Sequence, residues 1–307
     1  RAPLWSRGLG DVYKRHTFIK KELAKHFIFL LNNVHNFNIC ITKLRYCIMD
    51  LQLKGKTALI TGASKGIGAG LAKVFAEEGC NLHLAARDGA AMKSLSDELT
   101  NKFDIIVKVH EADLSSTKSM QELDHSAGEY DILLNNAGDI PAGDIEEVTD
   151  EAIKKGFDLK VFGYISLSRA FWNKRKGKDG VIINVIGNSG ENWDAAYFAG
   201  STGNAALMSF TKALGGRSLN EGIRIIGVNP GPVATDRMLK IMRRKAIDIL
   251  GDENRWEELY NHYPAKRPAT VKEVADLCAF LASPLAGYIT GTIVTIDGGI
   301  SSRGSVI

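Results

Sequence analysis

The clearest chemical pattern in the 307-residue chain is the run Thr61-Gly62-Ala63-Ser64-Lys65-Gly66-Ile67-Gly68. It follows a short apolar stretch at 57–61 and opens a segment of helical period. In that strand–turn–helix setting a glycine loop can cradle a phosphate. Gly62 then permits the tight turn, Gly66 lets backbone approach a pyrophosphate, and Gly68 lets the helix pack closely on the sheet. The helix N-terminus adds free N–H groups and a partial positive charge, so Ser64, Lys65 and Ile67 join the glycines as candidate phosphate contacts. Without a ligand, the same residues read as an ordinary flexible turn.

The next apolar run discriminates between the two nicotinamide dinucleotides. An NAD site places a carboxylate at the end of the second strand to bind the ribose 2′-hydroxyl. Here the run 81–86 ends in Ala85-Ala86-Arg87. Arg87 and Lys65 together suit a 2′-phosphate, which favours NADP (NADPH) over NAD. Asp88 is the opposing signal, and it is expected to turn away as the cap of the following helix.

These residues need a scaffold, and the hydrophobic pattern supplies one. Apolar runs at 57–61, 81–86, 105–110, 131–134, 180–185, 223–229 and 292–296 alternate with helical segments such as 67–79, 89–102, 147–173, 195–219 and 271–283. The alternation predicts a single-domain α/β fold, a Rossmann-type doubly wound parallel sheet of about seven strands with helices on both faces. Residues 237–266 interrupt it with a charge-rich stretch. They read either as a solvated helical insertion or as a lid over a substrate held beyond the strand ends.

The formal charge of +4 is unevenly placed. Residues 1–48 carry nine Lys or Arg against Asp11 and Glu22, whereas the remainder carries 30 bases against 33 acids. A nucleic-acid partner is therefore not expected. Met49 reads as a natural start, with 1–48 a structureless leader of upstream or non-native sequence; an organelle transit peptide is the alternative. The dinucleotide-binding domain is expected at 49–302, with 303–307 as a tail. No apolar run approaches the ~20 residues that span a bilayer, so a soluble, cytoplasmic protein with no membrane partner is expected. Cys40, Cys47, Cys80 and Cys278 show no metal-ligand spacing and read as scattered reduced thiols, and no metal site is expected.

Further elements follow the other runs: Asp113-Leu114, Asn135-Asn136-Ala137-Gly138, Asn229-Pro230-Gly231-Pro232 and Asp297-Gly298-Gly299. With the Gly-x3-Gly-x-Gly loop, their order and spacing resemble the short-chain dehydrogenase/reductase family over about 250 residues. The resemblance implies that Asp113 and Leu114 contact the adenine and that Asn136, Ala137 and Gly138 border the cofactor. Pro230 and Gly231 lead into Val233 and Thr235, which match positions holding the nicotinamide carboxamide and the pyrophosphate.

The catalytic positions match less well. The family works with a Tyr as general acid/base and a Lys four residues later that lowers its pKa. A Ser about 13 residues before the Tyr orients the substrate carbonyl, and an Asn on the preceding helix supports a proton relay. Tyr197 matches the tyrosine, whose free phenol titrates near 10 and needs a nearby cation to act near neutrality. Four residues on stands Ser201, not Lys. The expected Ser falls at Gly187, and the stretch from there to Tyr197 is about three residues short. Ser189 is the nearest hydroxyl and Asn188 the nearest amide; both also read as turn residues. In Asp158-Leu159-Lys160-Val161-Phe162-Gly163 the Asn position holds Lys160. Lys160 is read as supplying the ammonium missing at 201, against the plainer reading of a solvent-facing lysine.

Two functional classes follow. One is an NADP(H)-dependent oxidoreductase that interconverts a small-molecule carbonyl and a secondary alcohol, with catalytic residues Tyr197, Lys160 and Ser189. The other is a catalytically impaired dinucleotide-binding protein acting as a redox sensor or scaffold, favoured by Gly187 and Ser201. A dehydratase or isomerase on the same fold is a third possibility. The resemblance further implies a homodimer or homotetramer paired through the helices at 147–173 and 195–219.

Overall fold

The structure, a computed structural model, describes residues 49–302. The leader at 1–48 with Cys40 and Cys47, and the tail at 303–307, lie outside the described residues. Seven strands run β1 (Thr57–Thr61), β2 (Asn81–Ala86), β3 (Val107–Glu111), β4 (Ile132–Asn135), β5 (Gly180–Val185), β6 (Ile223–Pro230) and β7 (Thr292–Ile296). They form one sheet in the order β3-β2-β1-β4-β5-β6-β7, with every neighbouring pair parallel. From β1 the chain winds outward to β3, then returns to the far side of β1 with β4. The β1–β4 boundary is therefore the switch point, where the loops leaving the two strands diverge and open a crevice.

The strands are apolar throughout because both faces are covered. Every residue of β5 and β6 is buried. Successive residues serve opposite faces: Ala58 and Ile60 pack with Leu84, Leu134 and Ile183, whereas Leu59 packs with Leu133, Ile182 and Ile225. The first face is covered by α1 (Gly66–Glu77), α2 (Gly89–Lys102) and α8 (Val271–Ala282), through residues such as Phe75, Met92 and Val274. The second is covered by α3 (Thr117–Ala127) and α5 (Gly163–Arg175), through Met120, Leu167 and Phe171. Each such side chain, fully removed from water, stabilises the fold by ~1.5–3 kcal/mol.

The long helical period at 147–173 resolves into α4 (Asp150–Phe157) and α5, joined by a π-helical turn at Asp158–Phe162. The period at 195–219 is α6 (Phe198–Ser218). The insertion at 237–266 is α7 (Asp236–Leu250) followed by a 3-10 stretch at Glu253–His262. It is mostly solvated, with only Met242 and Ala246 of α7 buried. Its two ends are zipped together: Ala234 N–H donates to Ala269 O (2.8 Å), and Ala269 N–H to Pro232 O (2.9 Å). Among the described residues no helix is long and apolar enough to cross a membrane, and no cluster of His, Cys, Asp or Glu could hold a metal ion. Cys80 and Cys278 are buried thiols whose pKa desolvation pushes up to about 12, so both are inert.

Candidate active site

The glycine loop lies at the switch point, strapped to the loop after β4. Asn136 and Ala137 donate their backbone N–H groups to Thr61 Oγ1 (2.8 and 3.1 Å), and Asn136 Nδ2 donates to Thr61 O (3.0 Å). Gly62 adopts φ +65°, and a Cβ there would stand 2.9 Å from Ala137 Cα, so the two loops can approach this closely only with glycine. A Cβ on Gly68 would overlap the Gly62 carbonyl. Lys65 caps α1 without a side-chain hydrogen bond, and the first helical bond runs from Ala69 N–H to Lys65 O. The N–H groups of Gly66, Ile67 and Gly68 thus remain for an anion. A bare helix N-terminus faced by close-packed glycine backbone fits the pyrophosphate of a dinucleotide.

The other expected cofactor contacts are distributed as follows. Arg87 is exposed at the end of β2, and its charge helps hold the Asp113 carboxyl below its usual range. The larger cause there is hydrogen bonding from Ser115, whose N–H and Oγ donate to Asp113 Oδ1 (3.0 and 2.8 Å). Asp88 does turn away, accepting from Ala91 N–H (2.9 Å) as the cap of α2. The Leu114 side chain is committed to the core under α3, which leaves its backbone for a ligand. Val233 is likewise buried, paired through its backbone with Ala269. Gly231 N–H is bonded to Ile296 O (3.0 Å), and Pro230 ends β6, buried. Thr235 caps α7 by accepting from Met238 N–H (3.3 Å), while its methyl lies 3.5 Å from where a Cβ of Gly66 would stand. The root of the insertion therefore touches the glycine loop.

Lys160 does not face solvent. It is 9% exposed, in the π-helical turn, with its stem against Gly138 and its Nζ donating to Ile186 O (2.5 Å). Desolvation, helped by the nearby Arg237 charge, pulls its pKa down to about 8. A π turn inserts a residue into a helix and re-aims the side chain, which is how Lys160 points inward.

Tyr197 stands at the N-cap of α6, half-buried, beside the loop after β4; Gly143 N–H donates to Ala196 O (2.8 Å). Burial raises its pKa; the Arg237 cation opposes that and the Asp139 carboxylate adds to it. Those two residues pair with each other, Arg237 Nη1 to Asp139 Oδ1 at 3.3 Å, a pairing that the sequence does not display. Arg237 sits in the first turn of the charge-rich insertion, and no local signal ties it to a loop 98 residues away.

The shortened stretch between Gly187 and Tyr197 has a structural resolution. The family's spacing of about 13 residues counted from Gly187 reaches Gly200, and four more reach Asn204. Tyr197 lies one turn earlier, and a Cβ on Gly200 would fall inside its ring. Gly200 thus leaves open the space that the phenol fills. Asn204 is buried next to the turn, with Nδ2 donating to Ser189 Oγ (2.7 Å). Ser201 is buried and accepts from Asp194 N–H (3.5 Å), a structural contact. Asn188 is also engaged, donating to Asp297 Oδ2 (3.3 Å) and Ser301 Oγ (3.4 Å), so Ser189 is the polar group of this turn left for a substrate.

Comparison with known proteins agrees with this architecture. A family model described as enoyl-(acyl carrier protein) reductase matches residues 62–301. The oxidoreductase UcpA of Salmonella typhimurium is 35% identical over 260 residues, covering 83% of this chain and 98% of that protein. The NADPH-dependent reductase BacG of Bacillus subtilis is 30% identical over 257 residues, 80% of this chain and 97% of that protein. L-sorbose reductase from Gluconobacter frateurii, solved with NADPH and L-sorbose, superposes with a TM-score of 0.77 at 29% identity, covering 83% of this chain and all of that one. A seven-stranded parallel sheet wound in this order, a bare glycine-loop helix terminus and these relatives together establish that the chain belongs to the short-chain dehydrogenase/reductase family, as a nicotinamide-dinucleotide-dependent carbonyl/alcohol oxidoreductase.

Proposed function

We propose that the protein is an NADP(H)-dependent reductase of a small-molecule carbonyl, with Tyr197 as the general acid that protonates the product oxygen and the base in the reverse direction. The observation that carries this reading is a bare glycine-loop helix terminus strapped to the loop after β4, with Lys160 buried behind Gly138 of that loop and Tyr197 beside it under the Arg237 charge. A bound nicotinamide supplies or accepts the hydride. Arg237 favours the tyrosinate, and the buried Lys160 ammonium is the second cation for that task. Ser189 orients the carbonyl. Gly62, Ser64, Lys65, Gly66, Ile67 and Gly68 hold the pyrophosphate, with Thr235 closing over it, Val233 toward the nicotinamide carboxamide, and Asn136, Ala137 and Gly138 beneath. Asp113 and the Leu114 backbone border the adenine.

The preference for NADP rests on Lys65 and Arg87, neither of which makes an ion pair with a described residue, and on Asp88 turning away to cap α2. BacG, which is NADPH-dependent, and the NADPH complex of sorbose reductase support it. The insertion at 237–266 serves as a substrate lid rooted beside the cofactor. Soluble, cytoplasmic assembly as a homodimer or homotetramer belongs to the same proposal.

The test is a panel of carbonyls and alcohols with NADPH, NADH and their oxidised forms, run on the wild type and on Tyr197→Phe. NADPH-preferring turnover abolished by that substitution is expected. Tight NADPH binding without turnover on any compound would instead favour the impaired, cofactor-sensing protein, the reading that Gly187 and Ser201 support.

A further inference from the structure

The turn that carries Ser189 is rigid and its hydroxyl is held from one side only. Gly187, which opens the turn, adopts φ +124°, a conformation closed to other residues, and a Cβ there would lie 3.0 Å from Asn204 Nδ2. A Cβ on Gly190, which closes it, would lie 2.8 Å from Ala205 N, so the turn is seated directly on α6. Asn188 ties it to Asp297 and Ser301. Within this frame Ser189 Oγ accepts from Asn204 Nδ2 at 2.7 Å, and no other described residue bonds that hydroxyl.

A hydroxyl that accepts a hydrogen bond from an amide N–H retains its own O–H to donate. Polarisation by the incoming bond strengthens the outgoing one. Asn204 itself is 2% exposed, yet its Oδ1 has no hydrogen-bond partner. Buried amide oxygens are rarely left unpaired, and where one is, a ligand or water commonly completes the network. Lys160 donates to Ile186 O, the residue immediately before Gly187, so its ammonium flanks the same turn and retains unused N–H donors.

We infer that Asn204 is a positioning residue that fixes the Ser189 hydroxyl as a donor to the substrate carbonyl. The inference rests on the carbonyl-reductase reading. Its distinguishing feature is a direction: the hydrogen bonds point from Asn204 Nδ2 to Ser189 Oγ and from the Ser189 hydroxyl to the substrate oxygen.

Asn204→Asp tests the direction, using NADPH with 2,3-butanedione, L-sorbose and acetophenone as probes. At about pH 8 the new carboxylate accepts the Ser189 proton and turns it away from the substrate; a fall in kcat on the order of 100-fold is expected, the usual effect of removing one preorganised donor. NADPH binding, read by fluorescence titration, should stay within roughly threefold, because the affected donor serves the substrate and not the cofactor. As the pH falls toward about 5.5 the buried acid becomes protonated, can donate again, and should restore kcat toward the wild-type value at that pH. Asn204→Leu should show a loss with no such recovery, and Ser189→Ala should match the Asp variant at high pH. Wild-type turnover in Ser189→Ala, or equal and pH-independent losses in Asn204→Asp and Asn204→Leu, would overturn the inference. If Asn204→Asp fails to bind NADPH, Asn204→Leu combined with Ser189→Ala decides: no loss beyond Ser189→Ala supports the relay, and additive losses refute it. A wild type that binds NADPH but reduces none of the probes overturns the reductase reading, and the inference falls with it.

Discussion

A Cβ placed on Gly200 would fall inside the ring of Tyr197. The phenol lies back across the first turn of its own helix, over the one residue there with no side chain to obstruct it. Gly200→Ala sets two effects against each other. Alanine within a helix is favoured over glycine by about 1 kcal/mol, whereas the added methyl expels the ring. Tyr197 is only half-buried and can swing toward solvent without unfolding the domain. The variant is therefore expected to melt at or above the wild-type temperature and to bind NADPH. Its kcat should fall by at least about tenfold, since a displacement of about an ångström at a reacting group can reduce the rate about 100-fold. Melting curves and steady-state rates on the same preparation check it, and an unchanged kcat would remove the ring's position from the mechanism.

Lys160 gives a prediction in stability as well as rate. Burial lowers its pKa from 10.5 to about 8. Below about pH 8 the ammonium is charged in folded and unfolded chains alike, and its desolvation subtracts from stability in full. Between there and 10.5 the folded form has lost a proton that the unfolded form keeps, so stability rises with pH, by roughly 3 kcal/mol in all. Lys160→Met has no charge to bury. It should resist urea better than the wild type at about pH 7, with the advantage shrinking as the pH approaches 10. Its kcat should fall, and the pH–rate profile should lose a limb near 8. Equal stabilities at neutral pH would show that the ammonium is better solvated than its burial indicates.

What the sequence displays of this site depends on how local the cause is. The glycine loop is legible because turn, close approach and helix start lie within eight consecutive residues, 61–68, and each demands a particular residue type. The strands are legible because a sheet covered on both faces imposes an apolar run on each. The sequence places Leu114 just after β3 but does not show that its side chain turns into the core under α3, leaving the backbone toward the site. Lys160 could not be told from a surface lysine, because the π turn that aims it inward leaves no composition signature. Asn204 reads as one more small polar residue in an alanine-rich helix; its importance comes from Ser189, a turn away in space and 15 residues back. The short stretch between Gly187 and Tyr197 is plain in the sequence, whereas the seat of the Tyr197 ring over Gly200 depends on packing.

The Arg237–Asp139 pair should move the pH profile in two opposite directions. Arg237 favours the tyrosinate form of Tyr197, and Asp139 disfavours it. Arg237→Gln should therefore raise the apparent pKa of the Tyr197 limb in kcat/KM, and Asp139→Asn should lower it. Both side chains are more than half exposed, so the shifts should be small and should shrink further in high salt. Shifts of the same sign in both variants would mean that the pair acts by holding the insertion in place and not through its charges.

Arg87 tests the choice of cofactor. It stands at the end of β2 beside Asp113, exposed and without an ion pair to a described residue, while the carboxylate next to it is spent on capping α2. A guanidinium so placed can grip a 2′-phosphate but has little to offer a 2′-hydroxyl. Hydrogen bonds to charged groups contribute about 1.5–3 kcal/mol each, so Arg87→Ala should raise the KM for NADPH by roughly 10- to 100-fold. The KM for NADH should change by less than about threefold, because the lost partner is absent from that cofactor. Raising the ionic strength should weaken NADPH binding more in the wild type than in the variant, since one charge pair has been removed. Initial-rate measurements with both cofactors at two salt concentrations settle the matter. Parallel losses for NADPH and NADH would assign Arg87 to the structure of the β2 end and leave Lys65 as the sole discriminating cation.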